Sequence, residues 1–106
     1  MRVMYNKLVR DRIPEIIEAD GHHPVTHVLD GDDFRTALLA KLVEEAHEAQ
    51  SASVDEFAGE LADVWEVIQA LMCTSHLSCQ ELERVAAAKR GERGSFDRRI
   101  FLEYTE

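Results

Sequence analysis

The stretch from Lys41 to Asp63 is rich in carboxylates and contains no lysine or arginine after Lys41. Its acids form two spacings, an EExxE motif at residues 44–48 and an ExxD motif at residues 60–63. Carboxylate oxygens are preferred ligands of Mg²⁺, Mn²⁺ and Ca²⁺, whereas Zn²⁺ also takes nitrogen and sulfur. The pattern predicts a divalent metal site, provided that the fold brings the two motifs together. The acids concerned are Glu44, Glu45, Glu48, Glu56, Glu60 and Asp63.

Two helices are predicted to carry these acids, because apolar residues recur at helical spacing on both sides of Ser53. The first runs from about Asp33 to Ser51 and the second from Val54 to about Thr74. Ser53 and Glu56 have the spacing of a capping box, which favours a helix start at this point. The predicted inward stripes are Phe34, Leu38, Leu42 and Ala49 on the first helix, and Phe57, Leu61, Val64, Ile68 and Leu71 on the second.

Several acids point toward these stripes rather than away from them. At 100° per residue, Glu45 falls inside the first stripe and Glu60 lies close to the direction of the second. A surface helix places its acids on the opposite face, because unpaired buried charge is costly. In an antiparallel hairpin about Ser53, Glu48 would lie near Glu60, and Glu45 or Glu44 near Asp63. We therefore expect four or five carboxylates to converge on a cation, although solvated faces are the commoner fate of single acids.

The rest of the chain is predicted to complete an all-α helical bundle. Short helices are expected at about Asp11–Asp20 and at Cys79–Arg90, the latter opened by a Ser78–Glu81 capping box and closed by Gly91. Asp32 is the predicted N-cap of the first long helix. The β-branched segment Val25–Leu29 and the segment Ile100–Tyr104 allow a minor two-stranded β element. The outer side of the first long helix is also apolar, at Leu39, Val43 and Ala46, which favours burial in another subunit.

Length and charge limit the functions that the chain could perform. Its 106 residues suffice for one domain over residues 1–106, and 45% apolar with 31% charged residues is a globular composition. The net charge of −9 argues against nonspecific binding to nucleic acid or to anionic membranes. Charges near the start interrupt any signal-like apolar run, and no stretch reaches transmembrane length. A cytoplasmic location is the default expectation.

Basic residues are concentrated at the two ends of the chain. A fold that brings both ends to the acidic residues would combine a metal site with a phosphate site, because a bound divalent ion reverses the local charge. Ordinary surface ion pairs between the ends and the middle are the alternative, and these contribute little stability.

The motifs together resemble those of a known family. EExxE at 44–48 followed by ExxD at 60–63, with Lys41-Leu42 before them, is similar to the all-α nucleoside triphosphate pyrophosphohydrolases of the MazG-like type. The opening YNKLVRDRIPEII (5–17) and the closing KRGERGSFDRRIFL (89–102) resemble the phosphoribosyl-ATP pyrophosphohydrolase-like branch. The likeness covers nearly the whole chain.

The resemblance implies an oligomeric helical bundle, a dimer or a dimer of dimers, that hydrolyses a nucleoside triphosphate to its monophosphate and pyrophosphate. It implies Mg²⁺ as cofactor, with Mn²⁺ as a substitute. Carried over by position, Glu45, Glu48, Glu60 and Asp63 would bind the metal, and Glu44 would hold a ligand or the attacking water. The basic residues that would contact substrate phosphates are Lys7, Arg10, Lys41, Lys89, Arg90 and Arg93.

Two alternatives stay open from the sequence. The first is a phosphoribosyl-ATP hydrolase or a narrow dUTP or dCTP hydrolase, which has the same chemistry with another substrate. The second is a helical bundle that binds metal or nucleotide without turnover, or that only oligomerises.

Overall fold

The computed structural model describes all residues from Met1 to Glu106. It contains four α-helices and no β-strand: α1 (Ile13–Ala19), α2 (Gly31–Ser51), α3 (Phe57–Thr74) and α4 (Cys79–Arg93). The all-α prediction is therefore confirmed. The chain divides into two compact units, Met1–Ser75 with α1 to α3, and His76–Glu106 with α4. The two compact units do not decide whether residues 1–106 are one domain, so that assignment stays a prediction.

Helices α2 and α3 pack against each other as the antiparallel hairpin that the sequence predicts. The most buried apolar side chains are Leu38 of α2, at 3% exposure, and Val67 and Met72 of α3. Leu38 belongs to the predicted inward stripe of α2. On α3 the prediction is wrong at the helix start, because Phe57 and Leu61 are 44% and 48% exposed. The packed face of α3 therefore lies nearer to Val67 than the periodicity indicated.

Helix α2 begins earlier than predicted, at Gly31 instead of Asp33. Its N-cap is Asp30 and not Asp32, since the Asp30 carboxylate accepts a 2.9 Å hydrogen bond from the Asp33 amide. Asp32 and Asp33 lie in the first turn, where negative side chains interact favourably with the helix dipole. Residues 30–33 contain three aspartates, each of which can cap a helix. In the structure the first of them has the extended backbone conformation of an N-cap.

Helix α3 begins later than predicted, at Phe57 instead of Val54. The Ser53 hydroxyl donates to Glu56 Oε1 at 2.7 Å, and the Glu56 amide donates to the Ser53 carbonyl at 3.1 Å instead of to that hydroxyl. Only the reciprocal half of the capping box forms, in which the Ser53 amide donates to Glu56 Oε1. Residues 54–56 form a turn that leads into the helix.

Neither predicted strand forms. Residues 25–29 and 100–104 have no regular secondary structure. Val25, Val28 and Phe101 are at least 88% exposed, so their alternation does not create a buried face. A two-stranded element on its own is marginal in water, and β-branched composition alone does not supply the packing that stabilises one.

The second unit contains α4, which continues to Arg93 instead of ending at Arg90. The Ser78 half of its predicted capping box forms, because the Ser78 hydroxyl accepts from the Glu81 amide at 3.1 Å. The Glu81 carboxylate accepts from the Ser78 hydroxyl. Gly91 lies inside the helix, and the cap is Gly94, whose φ of +82° suits glycine. Residues 91–93, which the sequence predicts to lie beyond the end of the helix, therefore belong to it. Arginine and glutamate are good helix formers and offset the cost of one glycine.

Apolar side chains remain exposed on both hairpin helices. On α2, Leu39 and Val43 form the predicted outer face. On α3, Phe57, Leu61 and Trp65 recur every four residues and are also exposed. None of the four helices combines the length and the apolar character that crossing a bilayer requires.

Candidate metal centre

The α2–α3 hairpin brings together three carboxylates from the two predicted motifs. One oxygen from each of Glu45, Glu60 and Asp63 lies within 4.8 Å of the others. We call these three residues the acid cluster. Glu60 and Asp63 share a face of α3 because they are three residues apart, and the antiparallel pairing places Glu45 of α2 at the same level. The convergence predicted from helical geometry is confirmed for these three residues.

Two oxygens of the acid cluster are buried without a hydrogen-bond partner. They are Glu45 Oε2 and Glu60 Oε2. The Glu45 side chain is 9% exposed, which is unusual for a glutamate. A buried carboxylate oxygen without a partner is costly, and a coordinated cation is one of the few groups that satisfy it. The donor set therefore fits a hard divalent ion such as Mg²⁺ or Mn²⁺.

The Glu60 carboxyl group of the acid cluster has a raised pKa. Burial raises the pKa of its carboxyl group, and the negative charges of Glu48, Asp63, Glu45 and Glu56 raise it further. A group that resists ionisation beside other carboxylates indicates that negative charge is concentrated here without full compensation. Glu48 is exposed and lies outside the acid cluster. Its negative charge still raises the pKa of Glu60, which agrees with the prediction that the two residues are level on the hairpin.

Two lysines lie beside the acid cluster. Lys41 Nζ is 3.4 Å from Glu45 Oε1 and 3.5 Å from Glu44 Oε1. Lys7 Nζ, from the N-terminal segment, is also 3.5 Å from Glu44 Oε1. Glu44 is therefore held between two ammonium groups, and its side chain is one-third exposed. It lies next to the acid cluster without belonging to it, and its carboxylate is accessible to water.

Arg10 makes the tightest link between the N-terminal segment and the acid cluster. Its Nη2 atom donates to Asp63 Oδ1 at 2.7 Å. Lys7 and Arg10 at the basic start of the chain thus reach the acids, as both the phosphate-site interpretation and the surface ion-pair alternative allow. In the structure they contact carboxylates, and their predicted role as phosphate ligands stays a prediction.

The basic residues of the closing motif belong to the second unit. Lys89, Arg90 and Arg93 all lie on α4. Arg90 Nη2 donates to Glu83 Oε1 at 2.5 Å, two turns earlier on the same helix. Their predicted contacts with substrate phosphates stay predictions.

A cavity of about 700 Å³ lies between residues 8–12 of the N-terminal segment and the two hairpin helices. Glu45 and Asp63 line it, together with Lys41, Phe34, Glu66 and Gln69. The sequence patterns predict neither this cavity nor a role for Glu66 or Gln69. No periodic signal could have found it, because one wall is a segment without regular structure whose position only the tertiary fold defines.

This chain is similar to a curated protein whose function is not characterized. No family model and no solved structure matches the chain. An uncharacterized protein of Mycolicibacterium smegmatis (strain ATCC 700084 / mc(2)155) is 48% identical over 52 residues, which is 49% of this chain. The chain spans about half the length of that curated relative, 53%.

Proposed function

We propose that this chain is a Mg²⁺-dependent nucleoside triphosphate pyrophosphohydrolase, which converts ribo- or deoxyribonucleoside triphosphates and water to monophosphates and pyrophosphate. The observation that carries the proposal is the pair of buried, unpartnered oxygens on Glu45 and Glu60 within a three-carboxylate cluster. The resemblance of both acidic motifs to the MazG-like enzymes supports it. In this proposal Glu45, Glu48, Glu60 and Asp63 bind Mg²⁺, with Mn²⁺ as a substitute.

The bound ion would neutralise the polyphosphate and acidify a water molecule. Glu44 is the proposed general base: it is partly exposed, adjacent to Glu45 in sequence, and held by Lys7 and Lys41 at 3.5 Å. It would take the proton of the attacking water as the water oxygen bonds to the α phosphorus and the anhydride bond between the α and β phosphates breaks. The pyrophosphate departs with the electron pair of that bond.

The basic residues would act on the phosphates. Lys7, Arg10 and Lys41 lie beside the acid cluster and can exchange a carboxylate for a phosphate oxygen, since both are anionic acceptors. Such cations stabilise the charge that develops on the leaving pyrophosphate. We assign the same role to Lys89, Arg90 and Arg93 on the strength of the family motif alone.

We also propose that the chain self-associates as a homodimer or a dimer of dimers. Leu39 and Val43 on α2, and Phe57, Leu61 and Trp65 on α3, remain exposed at helical spacing. Contiguous apolar patches of this kind commonly mark protein interfaces. A second copy of the chain would present the same faces in return.

The decisive experiment measures pyrophosphate release from a panel of ribo- and deoxyribonucleoside triphosphates, and from phosphoribosyl-ATP, in the presence of Mg²⁺. Release from at least one substrate, lost in Glu48→Gln and retained in Glu18→Gln, supports the proposal. Glu18 is an exposed acid of α1 that forms no hydrogen bond or ion pair with its carboxylate, so its variant is a matched control. Selective release from phosphoribosyl-ATP, dUTP or dCTP would narrow the substrate and keep the chemistry.

One observation favours a second candidate, a bundle that binds metal or nucleotide without turnover, or that only oligomerises. Lys41 and Arg10 already supply positive charge to Glu45 and Asp63. These ion pairs alone could be the reason for the acidic motifs. Absence of pyrophosphate release from every substrate, together with calorimetry that detects no Mg²⁺ binding, would favour the purely structural form of this candidate.

A further inference from the structure

The cavity beside the acid cluster has the size and lining of a site for a small organic ligand. Its volume of about 700 Å³ lies within the usual range of such sites, roughly 300–1,000 Å³. Leu8, Val9, Leu38 and Val67 give it apolar walls. Ligand sites typically combine walls of this kind with a few polar groups that fix orientation.

The cavity is continuous with the acid cluster, because Glu45 and Asp63 belong to both. A molecule whose phosphates are held at the acid cluster would therefore place its remaining part in the cavity. In a nucleotide that part is the nucleoside. Placing the nucleoside in the cavity rests on the proposed function in one respect: it assumes that the acid cluster holds the phosphates of the nucleotide.

The rise of helix α3 gives the distances from Asp63 to the other α3 residues that line the cavity. Glu66 lies three residues beyond Asp63, and Gln69 lies six residues beyond, which correspond to about 4.5 Å and about 9 Å of helix rise. Both side chains line the cavity. The sugar follows the phosphates directly in a nucleotide, and the base follows the sugar. Glu66 is therefore level with the sugar, and Gln69 is level with the base.

Glu66 is an exposed residue in the wall of this half-open cavity, and its carboxylate takes part in none of the hydrogen bonds or ion pairs of the structure. An ionised carboxylate only accepts hydrogen bonds, so it suits a hydroxyl group and repels a phosphate. Acidic side chains bind the ribose 2′-hydroxyl in the same way in other nucleotide sites. Asp11 is another cavity carboxylate without a partner, but it lies on the N-terminal segment between two arginines.

We infer that the cavity between residues 8–12 and the α2–α3 hairpin is the nucleoside subsite, and that Glu66 selects ribonucleotides by accepting a hydrogen bond from the 2′-hydroxyl group. Glu66 is thus a specificity-determining residue, outside the acid cluster and one turn from it. A deoxyribonucleotide lacks the 2′-hydroxyl and cannot form this hydrogen bond, which lowers its affinity.

Calorimetric titration of the full chain with matched monophosphate pairs tests the inference. The pairs are AMP and dAMP, GMP and dGMP, CMP and dCMP, and UMP and dUMP, all with Mg²⁺ present. In the pairs that bind, we expect the ribonucleotide to bind about tenfold more tightly, as one hydrogen bond to a charged acceptor provides. Glu66→Ala should reduce this ratio to about one, while Asp11→Ala and Glu18→Ala should preserve it.

A second pair of variants tests the cavity itself. Ala70 lines it, whereas Ala62 is an exposed residue of the same helix outside it. Ala70→Leu should weaken every monophosphate at least severalfold, and Ala62→Leu should not. Circular dichroism of each variant shows that the helices are retained. Equal effects of the two substitutions would overturn the cavity assignment.

The outcomes separate this inference from the proposed function. Equal binding within every pair, no binding of any monophosphate, or loss of the ratio in Asp11→Ala instead of Glu66→Ala would overturn it, whether or not pyrophosphate is released. A ribonucleotide preference that depends on Glu66, without pyrophosphate release from any triphosphate, would support the subsite and refute the hydrolase.

Discussion

Arg10 and Asp63 are joined by a 2.7 Å hydrogen-bonded ion pair, although 53 residues separate them in the sequence. The pair attaches the N-terminal segment to α3 at one corner of the acid cluster. Because Asp63 is also a proposed metal ligand, Arg10 and a divalent ion would compete for the same carboxylate. Metal binding at Asp63 would therefore affect how the N-terminal segment is attached to α3.

A double-mutant cycle on this pair should give a modest coupling energy. Both side chains are about half exposed, so Arg10→Ala and Asp63→Asn are expected to couple by about 0.2–1 kcal/mol in urea unfolding. Saturating Mg²⁺ should reduce the coupling, because the ion replaces the guanidinium group as the partner of Asp63. An unchanged coupling energy in Mg²⁺ would argue against shared use of this carboxylate.

Glu45→Gln should remove the thermal stabilisation that Mg²⁺ gives to the wild-type chain. The amide keeps the shape of the side chain but loses the charge that an ion requires. Changes to groups that merely support metal ligands cost 10- to 100-fold, so loss of a ligand should reduce pyrophosphate release by more than about 100-fold. Melting curves with and without Mg²⁺, with Glu18→Gln as the control, measure the first effect. A variant that Mg²⁺ still stabilises fully would exclude Glu45 as a ligand.

Glu60 should make the metal-free protein less stable as the pH rises. Since burial and neighbouring charges raise the pKa of its carboxyl group, the folded state binds this proton more tightly than the unfolded chain does. The contribution is present below the ordinary carboxyl pKa and is lost as the pH rises through the raised pKa. The gain in unfolding free energy from Glu60→Gln should therefore grow across this window. Urea unfolding in a chelator measures it, and a gain independent of pH would contradict the assignment.

Val43→Glu should dissociate the proposed oligomer, because it places charge in the exposed apolar face of α2. Light scattering coupled to size-exclusion chromatography should show the wild-type mass at a multiple of 12.1 kDa and the variant at a lower mass. Gln50→Glu adds the same charge at another exposed position of α2 and serves as the control. A monomeric wild-type chain would contradict self-association.

Local patterns predicted much of the helical hairpin. The spacing of Phe34, Leu38 and Leu42 indicated the packed face of α2, since that periodicity is a property of each helix alone. The inward direction of Glu45 and the level of Asp63 followed from the same geometry. Helix ends were predicted less well at Asp30, Phe57 and Gly94, because competing caps differ by small energies that the surrounding backbone decides.

The sequence by itself determined that the chain is helical and that its two acidic motifs meet across a hairpin. Only the tertiary structure decided that Lys7 and Arg10 fold back onto those acids, and that the returning segment forms one wall of a half-open cavity that Glu66 also lines. Residues 1–12 have no apolar period and contain no helix, so nothing local fixes their path. Their position results from contacts made with residues more than thirty positions away, which a periodic pattern cannot encode.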